Sequence, residues 1–71
     1  MFVVRDAGEH QLVVPQTAVN FNSEGEAFVL RQANSGIFEA VPVEEIATVA
    51  GRSAVRPISG ELNVGDLVEV G

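Results

Sequence analysis

Cysteine is absent from this chain of 71 residues, which excludes disulfides and thiolate metal sites. Tryptophan, tyrosine and lysine are missing as well, and no apolar run exceeds four residues. Runs that short exclude a membrane-spanning helix, and no basic segment leads into an apolar stretch at Met1, so neither a direct membrane span nor a signal peptide is expected. The acidic residues outnumber the basic ones ten to four, giving a formal charge of −6. That balance repels a phosphate backbone instead of releasing its counterions, so nucleic acid is not an expected partner.

What remains is 46% hydrophobic and rich in valine, with aromatics limited to four phenylalanines. No helical period persists; short apolar runs are separated by Gly, Pro, Asn and Ser clusters every eight to twelve residues or so, the pattern of antiparallel strands. The expected fold is all-β, a small antiparallel β-barrel or barrel-like sheet of about six strands. These fall near Phe2 to Arg5, Gln11 to Val14, Glu26 to Gln32, Ile37 to Val43, Ser53 to Ile58 and Leu67 to Val70. Residues 1–71 read as one β domain, with residues 1–10 alternatively the last strand of a preceding β-barrel and 11–71 the unit proper. A core this small gives marginal stability, which points to support from a partner or from homo-oligomer formation.

Glu26 to Arg31 and Ile37 to Val41 flank a short loop ending in Gly36, a hairpin signature. Pro42 lacks an N–H, so the second strand is expected to end there or to lie at a sheet edge. Val43 to Val49 offers two glutamates suited to a first helical turn, but Thr48, Val49 and Gly51 favour extended chain over so short a helix. In Leu62 to Val70, Gly65 is expected to supply a left-handed turn residue and the Asp66 carboxylate to accept a hydrogen bond from a turn amide. Pro15, Gly36, Gly60, Gly65 and Asp66 are the expected structural turn positions.

Three segments in order carry a resemblance: Leu12-Val-Val-Pro15-Gln-Thr-Ala18-Val19, the hairpin Ala27-Phe-Val-Leu30 to Phe38-Glu-Ala-Val41, and Ser59-Gly60-Glu-Leu62-Asn-Val-Gly65-Asp66-Leu-Val68. Together they resemble the membrane-proximal C-terminal region of periplasmic adaptor subunits, the membrane fusion proteins of resistance-nodulation-division efflux pumps. Met1-Phe-Val-Val4 is similar to the segment that ends the preceding barrel domain of that family. The resemblance implies a periplasmic, non-catalytic module that contacts the inner-membrane transporter and neighbouring adaptor subunits. It also implies that the lipoyl-like domain and helical hairpin of such adaptors lie outside these residues, so that the chain is a fragment, an excised domain or an isolated remnant. Asn20, Asn22, Glu24, Glu44 and Glu45 are the candidate partner contacts under this reading.

Chemistry of other kinds has little to stand on. Ser23, Ser35, Ser53 and Ser59 fall in expected turns or at strand starts, with only His10 to act as a base, so no enzyme activity is expected. His10 beside Glu9 reads as a solvated loop histidine, and no metal or other cofactor is expected. Glu24 with Glu26 and Glu44 with Glu45 read either as a docking surface or as solvating charge, with Arg52 and Arg56 available to pair with them. Phe21, Phe28 and Phe38 read as packing residues, with Phe28 and Phe38 facing each other across the hairpin. A rival reading is a β-barrel like the second domain of translation GTPases, which shares the closing turn and binds RNA or a ribosomal surface; the acidic balance and the missing lysine oppose it.

Overall fold

Valine and leucine on one face of the longer strands give them a branched, apolar side, and turning those sides inward is what closes the sheet. The computed structural model describes residues 1–8, 11–34 and 36–70. It contains eight strands: β1 Phe2–Val3, β2 Arg5–Gly8, β3 Gln11–Pro15, β4 Asn20–Phe21, β5 Ala27–Asn34, β6 Ile37–Val49, β7 Arg52–Pro57 and β8 Leu67–Val68. A short 3-10 turn, Gln16–Ala18, follows β3. The fold is therefore all-β and barrel-like, as the sequence pattern implies.

The strand order is β1-β8-β5-β6-β7-β3-β2, every pairing antiparallel, with β4 added to β5. β5, β6 and β7 form a meander and β3 returns beside β7, a Greek-key arrangement. The two ends of this order meet in one continuous segment, because β1 pairs with β8 and β2 with β3. Val4 between them exchanges backbone hydrogen bonds with the closing turn, its N–H to Asp66 O and its C=O from Gly65 N–H. Residues 2–8 thus belong to the same sheet as the rest. The excess of eight strands over six comes from the break at Val4 and from the two-residue β4.

The core is aliphatic. Val4, Val14, Val29, Val55 and Val68 are fully buried, joined by Leu12, Ala18, Val19, Val41, Val43 and Leu62. Expectation fails for the aromatics: Phe21 is 61% and Phe38 37% exposed, and Phe28 is half-buried. Nor do Phe28 and Phe38 face each other, since Phe28 pairs with Pro42 and Phe38 with Gln32. A barrel this narrow has room inside for β-branched side chains; Phe28 and Phe38 alternate onto the outside of the sheet, while Phe2 packs against the edge of the core.

Pro42 also departs from expectation, because β6 runs on through it to Val49. The carbonyl of Pro42 accepts from the Ile58 N–H just beyond the end of β7. Its absent N–H therefore falls where the β6–β7 ladder is already fraying, and no ladder bond is lost. At the same point β6 changes neighbour, from β5 up to Pro42 to β7 from Val43 onward. Val43 to Val49 is extended, as the β-branched residues require.

Candidate functional site

Most of the candidate contact residues are occupied within the fold. Asn22 organises the turn before β5: its side-chain oxygen accepts from the Glu24 and Glu26 amides, both at 2.9 Å, and its amide donates to the Glu26 carboxylate at 3.1 Å. Such an Asx turn needs the short polar side chain at that position. Asn20 is half-buried in β4 and donates to Ala18 O. Glu24 is exposed at the tip of the same turn.

Glu44 and Glu45 point to opposite faces of β6. Glu44 lies on the outside, paired in register with Arg56 and in ion contact with its guanidinium. Glu45 lies on the inner side, where its carboxylate accepts from the hydroxyl of Ser53 at 3.0 Å. Ser53 is fully buried, with Thr48 Oγ1 at 3.5 Å from its Oγ. These three polar groups satisfy one another at one mouth of the barrel. Ser53 has a carboxylate beside it and no imidazole, an arrangement that explains its burial without catalysis.

The opposite mouth holds a second polar group. Arg31 donates through Nε to Asp66 at 3.1 Å and through Nη1 to Glu39 at 3.2 Å. Asp66 also accepts from the Asn63 amide at 2.8 Å, and Gly65 before it has φ +94°, a conformation a β-carbon would strain. Gly36 and Gly60 likewise have positive φ. Pro15 ends β3 and opens the 3-10 turn. Glu9, His10, Ser35 and Gly71 lie outside the described residues. Among the described residues no three His, Cys, Asp or Glu side chains come together as a metal site, and no helix is long and apolar enough to cross a membrane.

Among the described residues, two shallow apolar troughs lie on the outside of the sheet. One, about 450 Å³, runs over Val13, Ala47 and Ala54, a cross-strand row in register on β3, β7 and β6. The other, about 300 Å³, is formed by Phe28, Ala40, Pro42 and Ile58 with Asn22 and Glu26 at its rim. Alternation of the strands places Arg5, Arg52 and Arg56 on the same outer face as the first trough, because Arg5 pairs with Val13 and the other two flank Ala54 on β7. Three of the four arginines thus share one face, where Glu44 pairs with Arg56.

That clustering escapes a linear reading, since the register joining Arg5 to β3 and β3 to β7 is set by long-range pairing. The two-residue spacing of Arg52, Ala54 and Arg56 is the part a sequence pattern carries. No protein-family model, curated protein or solved structure matches this chain.

Proposed function

We propose that this chain is a non-catalytic interaction module like the membrane-proximal region of periplasmic efflux adaptors, binding an inner-membrane transporter and neighbouring adaptor subunits through the outside of its sheet. One observation supports this reading above the others. The core is built of valine, leucine and alanine, while two open apolar troughs bordered by charge lie on the outside. An outer face of this kind suits a protein surface. A periplasmic location follows from the same reading.

A photo-crosslinking residue at Phe28 or Ala54, with Asn34 at the far hairpin as control, tests it in cells producing the chain together with a resistance-nodulation-division transporter. Adducts with the transporter from positions 28 and 54, and none from 34, are the expected result. No transporter adduct from either trough overturns the reading. The arginine face lends some weight to the rival, an RNA- or ribosome-binding barrel like the second domain of translation GTPases. Against it stands the charge of −6, with Arg31 and Arg56 already paired to carboxylates. Binding of the chain to ribosomal RNA at low salt, weakening as salt rises, favours the rival; its absence removes it.

A further inference from the structure

The second half of β6, Val43 to Val49, has β7 along one edge and, among the described residues, no strand along the other. Every side chain from Glu44 to Val49 is exposed, with Ile46 at 41% and Val49 at 71%. An edge of this kind presents unpaired N–H and C=O groups ready to accept another strand. We propose that this edge pairs antiparallel with the same edge of a second copy of the chain, across a two-fold axis lying between Ile46 and Ala47.

The register follows from a bulge. Glu45 pairs with Val55 and Ala47 with Ala54, so Ile46 has no partner on β7. The extra residue reverses the alternation: Glu44 faces outward before it, Ala47 and Val49 after it, while Glu45 and Thr48 both lie on the inner side with Ser53. Backbone direction reverses with it. The Pro42 carbonyl points at β7, so alternation turns the N–H and C=O of Val43 and Glu45 toward the open edge. Beyond the bulge, Ala50 and Gly51 have φ of 52° and 78°, a two-residue hairpin turn that closes on a hydrogen-bonded Val49–Arg52 pair. Thr48 therefore also turns toward the open edge.

Among antiparallel registers of two such edges, one satisfies all these conditions. It sets Glu44 opposite Val49 of the second copy, Glu45 opposite Thr48, and Ile46 opposite Ala47. Outward residues then meet outward residues, and Glu45 and Thr48, whose backbone groups both face the edge, form the hydrogen-bonded pairs. Charge agrees with this register. Arg52 is the cross-strand neighbour of Val49, so the outward Glu44 of each copy lies on the same face as Arg52 of the other, two strands away across Val49 and within reach of both long side chains. A two-fold pairing consumes both edges and closes, producing a dimer and not a fibre, while a one-residue slip turns every side chain to the wrong face. A second copy is favoured over a lipid surface, which would bury the same backbone groups without partners. The inference does not depend on transporter binding, and either can fail alone.

Sedimentation equilibrium of the chain between about 10 μM and 1 mM reads the dimer directly, since self-association rises with concentration. Dimer formation is expected, with amide exchange at Glu45 and Thr48 slowing as concentration increases. Arg52→Glu and Glu44→Arg each place like charges two strands apart twice across the axis, and each is expected to dimerise about threefold more weakly. An equimolar mixture of the two variants restores both contacts and is expected to recover the lost association. Circular dichroism confirms that each variant keeps its strands. A chain monomeric at 1 mM, a dimer unmoved by either charge change, or a mixture as weak as its parents overturns the proposal.

Discussion

The two halves of β6 have similar composition and opposite fates. From Ile37 to Pro42 the strand has β5 beside it and buries Val41; from Val43 to Val49 it has β7 alone and, past Val43, buries nothing. Both halves carry β-branched residues and glutamate. Propensity makes each of them extended, but the number of neighbouring strands decides what an apolar side chain is worth there. The sharpest way to break this comparison is one substitution in each half. Val41→Asp places an unpaired charge in a core position that is 2% exposed and is expected to cost more than about 4 kcal/mol, enough to unfold a domain this small. Val49→Asp, at 71% exposure, is expected to stay within about 0.5 kcal/mol. Urea titration followed by circular dichroism measures both, and equal losses would show that the second half is buried in solution.

Much of the fold is legible from the chain because valine alternation and turn residues act locally. Six strand positions, the hairpin over Gly36 and the Gly65–Asp66 turn all follow from such signals, and the turn geometry at Asp66 is what its carboxylate chemistry dictates. What is not legible depends on long-range pairing. Pro42 looks like a strand terminator until its missing N–H is placed against the frayed end of β7. The bulge at Ile46, the shared face of Arg5 and Arg56, and the outward phenylalanines likewise need the register of strands far apart in sequence. The candidate contacts were harder still: Asn22 has the side chain of a docking residue and also of a turn organiser, and its amide and oxygen are engaged within its own loop.

The ion pairs of the two halves differ in the same sense. Arg31 binds Glu39 of the first half and Asp66 of the closing turn with its side chain 20% exposed, and Asp66 also holds the Asn63 amide. Arg31→Gln leaves the half-buried Asp66 with one partner fewer and is expected to lower stability by about 1 kcal/mol in urea unfolding. An unchanged midpoint would mean that water replaces the guanidinium without cost.

The hairpin turn that ends the second half offers a gain. Ala50 is held at φ 52°, a left-handed conformation that its β-carbon disfavours. Ala50→Gly relieves that strain against a larger entropy of the unfolded chain, for a net rise of about 0.5 kcal/mol. A fall in stability would instead assign the Ala50 methyl a packing role in the Val13 and Ala54 trough.

The smallest effect belongs to the ion pair of the second half. Arg56 and Glu44 are 57% and 51% exposed, so water screens their attraction and both side chains lose rotamer freedom in meeting. Arg56→Gln is therefore expected to change stability by less than about 0.5 kcal/mol, and 1 M salt to erase the difference, whereas the Arg31→Gln loss should persist because Arg31 and Asp66 are only 20% and 24% exposed. A salt-resistant loss at Arg56 matching that at Arg31 would mean that the outer face of β6 and β7 is covered in solution, as a partner seated over the trough at Val13, Ala47 and Ala54 would do.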